Sequence, residues 1–440
     1  MSLPRYASYK DSKVPWLGDM PSHWSLCRYK QVFVEREERS ETGQENLLSV
    51  SAYTGVSPRS EIIEEGEHLS RAESLEGYKV CYPNDLVINI MLAWNRGLAF
   101  SDHHGIVSPA YAVFRPNAGN APRFLDYMVR SDRVTLYYKA FSSGVIDSRL
   151  RLYPDTFGSL YCVLPPLQEQ LAISTFLDRE TGKIDALIAE QEKLIALLAE
   201  KRQATIFHAV THGLNPDAPM KDSGVVWLGE VPAHWAVSAL SYLGSIETGS
   251  TPDRGEPRFW NGSIPWLKTG EINWAPIREA EEYITEEGAE NSAVKLARPG
   301  TLLMAMYGQG VTRGRVALLE IEATFNQACA AILFGPRVSP EFGRYFFMAA
   351  YVHVRESGNE TSQMNLSAGL IAKLKLPVPS AREQADIVRW LDAETTKLDS
   401  LTINSEQAIG LMKERRSALI AAAVTGQIDV RGAVLDRVVT

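Results

Sequence analysis

The chain has 440 residues, 45% hydrophobic and 22% charged, which leaves room for two to four domains that each bury a core. No stretch reaches the ~18 consecutive apolar residues of a membrane span, and the opening MSLPRYASYKD has no apolar signal core, which points to the cytoplasm. The formal charge of −8 argues against an independent nucleic-acid binder, and four scattered cysteines (Cys27, Cys81, Cys162, Cys329) without CxxC spacing argue against a zinc ribbon or disulfide framework.

The first segment with a signature is Lys10–Trp24, and ten of its fifteen residues recur in order at Lys221–Trp235. Residues 25–164 then show short apolar runs broken by Gly, Pro and Asn. Asp85–Trp94 and Ala110–Phe114 read as strands, and Arg123–Ala140 reads as helical. This insert carries 15 Lys+Arg against 17 Asp+Glu, so any DNA affinity must come from local clusters or from partner subunits. Its loops Met91–Gly97 and Ser142–Arg151 mix Gly with Trp94, Asn95, Arg96, Ser148, Arg149 and Arg151. Asn and Arg are residue types suited to base edges.

Pro165–Leu187 begins a helical region and matches Pro379–Leu401 at eleven of twenty-three positions. Gln168–Asp178 is expected to form a short helix and Lys183–Val210 a long one, bracketed by Gly182 and Gly213. Ile184, Leu187, Gln191, Leu194, Leu198, Lys201 and Thr205 fall at alternating three- and four-residue steps, a coiled-coil-like seam widened by Ile188 and Ile195. The equivalents 214 residues on are Leu398, Leu401, Ser405, Ala408, Met412, Arg415 and Leu419. The two stripes either pack on each other or each on its own domain. At ~1.5 Å per residue the expected 28-residue rod is about 42 Å long, close to one turn of B-DNA. Glu200–Thr211 recurs at Glu414–Thr425 with seven matches in twelve, so a unit of about 210 residues occurs twice.

After a Gly213–Pro216 linker, the second insert (residues 236–378) has 13 Lys+Arg against 15 Asp+Glu. Strands are expected at Thr301–Gly308 and Ala328–Phe334, and a helix at Pro340–Arg355. Tyr307, Gln309, Thr312, Arg313 and Arg315 in the Gly-rich loop, with Asn359, Gln363 and Asn365 later, are the matching candidate DNA contacts. For each such residue an ordinary turn or salt-bridge role is the alternative. The six glutamates of Glu279–Glu290 read as a solvated edge.

Catalytic boxes are missing. There is no GxxxxGK[ST], GxSxG or HExxH, and Pro165-Pro166 is flanked by Leu rather than by the residues of an adenine-methyltransferase box. His103 and His104, as neighbours on a strand, would point oppositely, and His208/His212 lack a third ligand; both pairs read as structural, so no metal site is expected.

These segments together resemble the specificity subunit of a type I restriction–modification system. The carrying motifs are Val14–Trp24, Val225–Trp235, Leu164–Asp185, Ala199–Leu214, Glu414–Ile428, Gly105–Pro116 and Met306–Cys329. The resemblance implies an α+β fold of two similar target-recognition domains joined by a pair of long antiparallel coiled-coil helices, with a pseudo-twofold internal repeat. The expected division is an N-terminal segment with the first target-recognition domain (1–165) and a central helical region (166–212). A linker (213–224), a second target-recognition domain (225–379), a C-terminal helical region (380–428) and a tail (429–440) follow. It further implies a non-catalytic subunit whose domains each read half of a bipartite, asymmetric DNA site for adenine methylation or cleavage. The implied partners are double-stranded DNA, two methyltransferase (modification) subunits and restriction/translocase subunits. S-adenosylmethionine, ATP and Mg are implied for those partners and no cofactor for this chain. A methylation or restriction enzyme, or a coiled-coil adaptor with two protein-binding heads, are the competing readings.

Overall fold

A computed structural model describes residues 4–14, 16–52, 55–61, 74–144, 150–308, 311–356 and 365–435. The chain divides into two units, residues 1–191 with 407–440 and residues 192–406.

In the first unit, strand β1 (Ser25–Arg28) leaves the WLGD motif and the chain enters a four-stranded antiparallel sheet. Its strands are β2 (Phe33–Glu35), β3 (Leu86–Asn89), β4 (Leu98–Phe100) and β5 (Tyr111–Pro116), in spatial order β2-β5-β3-β4. The two-residue period of a strand sends alternate side chains to opposite faces. Leu86, Ile88, Ala112 and Phe114 join the main core, while Val87, Ala99 and Val113 join a smaller cluster behind. Helices α1 (Pro122–Val129) and α2 (Asp132–Phe141) follow, and β6 (Tyr161–Leu164) returns to pair with β1.

The second unit repeats this plan. Strand β7 (Ala236–Ala239) leaves the second motif, and β8 (Gly244–Thr248), β9 (Trp260–Leu267), β10 (Leu302–Ala305), β11 (Val316–Leu318) and β12 (Cys329–Phe334) follow. The main sheet runs β8-β12-β10-β11, the same order as in the first unit, and β9 belongs to a separate three-stranded sheet. Helices α3 (Pro340–Ala349) and α4 (Tyr351–Glu356) lead to β13 (Lys375–Val378), which pairs with β7. The two inserts therefore share topology despite their low identity.

Three local expectations change. The strand expected over Thr301–Gly308 stops at Ala305. The strand expected over Asp85–Trp94 stops at Asn89, where the Asn89 side chain accepts the Met91 N–H at 3.2 Å and a 3-10 turn covers Ala93–Asn95. Each insert's expected helical stretch divides into two helices. The first breaks at Ser131, which adopts extended geometry and turns its hydroxyl back onto the Met128 carbonyl at 3.0 Å.

The long helices run from Leu167 to His212 and from Ala381 to Val424. At ~1.5 Å per residue they measure about 69 and 66 Å. No separate helix ends at Gly182, which lies inside the first long helix. Its cost of ~1 kcal/mol is small against a helix anchored on either side by buried Thr181 and Ile184. The match to one DNA turn rested on the shorter rod and falls with it. The helices are antiparallel. Within the first unit Arg416 Nε donates to Asp185 at 2.8 Å, and within the second Arg202 Nε donates to Asp399 at 3.2 Å.

The seam differs from the expected one at alternate positions. Thr181, Ile184, Ile188 and Leu198 are buried in the first helix, as are Thr395, Leu398 and Ser405 in the second. Leu187, Leu194 and Lys201, with Leu401 and Arg415, face outward instead. The period is unchanged; Ile188 and Ile195 take the positions given to Leu187 and Leu194. Adjacent helix residues sit about 100° apart, so only one of two neighbouring stripes can occupy a narrow two-helix seam.

The repeated motif residues hold each head on its helix. Glu169 accepts from Trp24 Nε1 at 3.1 Å and lies 2.8 Å from His23 Nε2. In the second unit Glu383 accepts from Trp235 Nε1 at 3.2 Å and lies 2.6 Å from His234 Nε2. Lys10 and Lys221 donate to the Trp24 and Trp235 carbonyls at 2.7 and 2.5 Å. Tyr127 donates to Asp178 at 2.8 Å, and Tyr345 to Asp392 at 2.6 Å. The helix ends complete the other copy's motif. Gly213, at the end of the first long helix, adopts φ +75° beside Trp235, and Gly426, after the second, adopts φ +73° beside Pro21 and Trp24. Left-handed glycine is the usual way to stop a helix, and here a Cβ would also meet an indole or proline ring.

Candidate nucleic-acid interface

In each unit one backbone hydrogen bond ties two loops side by side. Leu152 N–H donates to the Ile90 carbonyl at 2.8 Å, and Leu366 N–H donates to the Met306 carbonyl at 3.0 Å. Leu152 and Leu366 are both buried, so each anchor is fixed by its core. In both heads this joins the loop that follows the central strand (β3 or β10) to the segment that precedes the last short helix of the insert.

In the first unit the anchor joins the loop that carries Trp94, Asn95 and Arg96 to the segment that carries Arg151. Trp94 Nε1 donates to the Met91 carbonyl at 2.9 Å, and the Lys139 ammonium lies 5.5 Å from the indole centroid. Asn95 is exposed. Arg96 has left-handed φ of 61° and forms an ion pair with Asp132. Arg151 is exposed and closes its loop by paired backbone bonds with Ser143 at 2.9 Å. Ser148 and Arg149 lie outside the described residues.

In the second unit Tyr307 is exposed beside the anchor, and Asn365 is half-buried next to Leu366. The loop from Val311 lies against α4: the Tyr351 hydroxyl donates to the Val311 carbonyl, and Arg313 donates to the Arg355 carbonyl at 3.1 Å. Thr312 is half-buried, and its carbonyl accepts the Arg315 N–H at 3.1 Å. Arg315 is half-buried, and its Nε has no hydrogen-bond partner among the described residues. A guanidinium so held costs desolvation unless a ligand meets it. Gln309, Asn359 and Gln363 lie outside the described residues.

Sequence reasoning missed several groups. Arg254 stacks 3.8 Å from the Trp260 centroid and 4.8 Å from that of Trp266, yet it is neutralised by Glu282 at 2.5 Å. The same consumption of cations by carboxylates recurs at Lys268 with Glu281 and Glu282, and at Arg278 with Glu320. Hydrogen bonds from Arg254 and then Lys268 hold the Glu282 carboxyl below its ordinary range. Also missed were leucines left outside the helix seam. The first unit exposes Leu187 (55%) and Leu411 (67%), and the second exposes Leu401 (50%) and Leu197 (52%), which are the same positions in the two copies. The signal was present in the heptad, where Ile188 competed with Leu187 for one seam position.

Three of the four paired histidines make ring contacts. His208 and His212 stack with centroids 5.0 Å apart, and burial followed by the neighbouring His208 pulls the His212 pKa down. His104 lies against Tyr82. Among the described residues no group of three His, Cys, Asp or Glu is placed to hold a metal, and no helix is long and apolar enough to cross a membrane.

Comparison with known proteins finds relatives of this arrangement. Residues 232–409 match the family described as "Type I restriction modification DNA specificity domain". The chain is 26% identical over 252 residues to the EcoR124I/EcoR124II specificity subunit of Escherichia coli, covering 56% of this chain and 58% of that one. It is 24% identical over 169 residues to the MjaIX specificity subunit of Methanocaldococcus jannaschii, covering 37% of this chain and 38% of that one. The match to the HindI specificity subunit of Haemophilus influenzae is 22% identical over 384 residues, 73% of this chain and 81% of that one. The matched parts thus span little more than half, and just over a third, of the first two relatives. Among solved structures, a chain of a type I R-M system superposes with TM-score 0.68 at 16% identity, covering 92% of this chain and 98% of that one. The HsdS subunit from Thermoanaerobacter tengcongensis does so with TM-score 0.56 at 17% identity over the same shares, which shows a common fold. Residues 232–409 thus match a type I restriction–modification specificity model, and the chain is similar to specificity subunits of such systems along much of its length.

Proposed function

We propose that this chain reads a bipartite, asymmetric DNA site, one half with the loops of each unit, and positions methyltransferase and restriction subunits for adenine methylation or cleavage. The observation that carries the reading is the twin loop anchor, Leu152 on Ile90 and Leu366 on Met306. An identical construction that displays different residues is what two readers of different sequences require. The chain supplies recognition and no chemistry. S-adenosylmethionine, ATP and Mg belong in this reading to the partner subunits, and the assembly works in the cytoplasm.

Two features support the partner side. The net charge of −8 and the pairing of Arg254, Lys268 and Arg278 with glutamates weaken the attraction of this chain for phosphates. Added subunits would supply those contacts. The leucine pairs Leu187/Leu411 and Leu401/Leu197 offer each unit the same apolar helix surface, which suits two copies of one modification subunit.

The test exchanges residues 25–164 for the corresponding insert of another specificity subunit and sequences the methylated sites. One half-site should change while the other and the adenine modification persist. A swap that leaves both halves unaltered, in an assembly that still methylates DNA, refutes the reading.

A further inference from the structure

The head of the first unit is reached through a neck of two strands, β1 and β6, which carry the chain out of the frame and back. Cys27 and Cys162 stand directly opposite each other in this ladder, with Sγ atoms 3.5 Å apart. Opposed Cα atoms in an antiparallel pair are about 4.5–5.5 Å apart, inside the range of about 4.4–6.8 Å that disulfides occupy. Bond formation then needs an approach of roughly 1.5 Å by the two sulfurs, which side-chain rotation provides. Cys27 is partly exposed and Cys162 fully buried, so an external reagent meets one sulfur first. The equivalent register in the second unit sets Ser238 opposite Leu376, so that neck has no such pair.

We propose that Cys27 and Cys162 form a modification site, a reversible disulfide made by exchange with a low-molecular-weight disulfide, which pins the neck of the first unit alone. The Cys27 thiolate attacks one sulfur of the small disulfide, forming a mixed disulfide and releasing one small thiolate. Cys162 then attacks the Cys27 sulfur, expels the second small thiolate and gives up its proton to it. Two protein thiols are oxidised and one small disulfide is reduced to two thiols. The hydrogen bond with Cys162 pulls the Cys27 thiol down against the opposing effect of burial, which favours the first step. Cys81 and Cys329 are buried in the sheets and pushed up to about 12 by that burial, so they act as internal controls.

The experiment incubates the native full-length chain with oxidised glutathione and follows intact mass, peptide maps and thermal unfolding. The expected result is loss of two hydrogens and a Cys27–Cys162 cross-linked peptide, reversed by dithiothreitol. A rise in Tm of about 5 °C should accompany it, since the link closes a long loop. In Cys162→Ser the reaction should stop at a mixed disulfide on Cys27, and in Cys27→Ser no cross-link should form. A wild-type chain that holds the mixed disulfide without closing it, that keeps both thiols free, or that cross-links only in denaturant overturns the proposal. None of these readouts depends on DNA recognition.

Discussion

Replacing Gln384 by Ala should cost the second unit about 3–5 kcal/mol. The Gln384 side chain is buried and fully engaged. Its Oε1 accepts the Ser339 N–H at 2.8 Å, and its Nε2 donates to the Arg337 carbonyl at 2.8 Å and the Pro379 carbonyl at 2.9 Å. Three hydrogen bonds at about 1 kcal/mol each give ~3 kcal/mol, and the backbone groups left without partners add part of their desolvation cost of 1–3 kcal/mol. Ser339 is the N-cap of α3, so the same side chain joins the head to the long helix. Gln170 has the equivalent role: it accepts the Ala121 N–H at 2.9 Å and donates to the Pro165 carbonyl at 2.9 Å. Its third bond, to Asn120 at 3.3 Å, is longer, so Gln170→Ala should cost somewhat less, about 2–4 kcal/mol. Urea titration by circular dichroism measures the loss, and hydrogen exchange locates it. Gln384→Ala should release amides of α3 and β13, and Gln170→Ala those of α1 and β6. Gln384→Glu should restore nothing, because a carboxylate oxygen would then face two carbonyls. A cost below about 1 kcal/mol for both alanine variants, or exchange that rises in the wrong unit, refutes the reasoning.

Glu383 supplies a pH dependence. Burial opposes its ionisation, but hydrogen bonds from His234, Ser380 and Trp235 outweigh it and bring the carboxyl to about 2. A depressed folded value stabilises the fold above the ordinary carboxylate range, and that stability disappears as pH falls from about 4 toward 2. Thermal melts of Glu383→Gln should therefore lose Tm at neutral pH and converge with the wild type near pH 2; parallel curves would sink the assignment. On the DNA side, Arg315→Ala should weaken recognition of one half-site by about 1–3 kcal/mol, the worth of one bidentate base contact. Binding assays with each half scrambled in turn check this, and an equal loss at both halves excludes a head-specific role.

The doubled frame was legible because each repeated residue answers to a definite contact. The Trp24/Trp235 indoles and the Glu169/Glu383 and Asp178/Asp392 carboxylates make the same bonds in both copies. Such atom-level duties tolerate few substitutions, so they survive as sequence identity. The inserts keep only topology, because a sheet of order β2-β5-β3-β4 asks for alternating apolar residues and not for particular ones. The one-residue error in the helix seam came from a real ambiguity, since Leu187 and Ile188 are both good seam residues and only the partner helix decides. The converging loops were partly legible. Glycine and polar residues marked where they lie, but the bonds that join them are made by Leu152 and Leu366, whose side chains look like any core leucine.

The way each helix tip finishes the opposite copy's tryptophan cleft has a consequence for half-length chains. A fragment that stops near residue 215 would carry the Trp24 cleft without its cover, and a helix tip with no cleft to fill. Two such fragments could trade tips reciprocally and heal both defects. Fusing two copies into one polypeptide would free each insert to diverge from the other while the shared frame is kept.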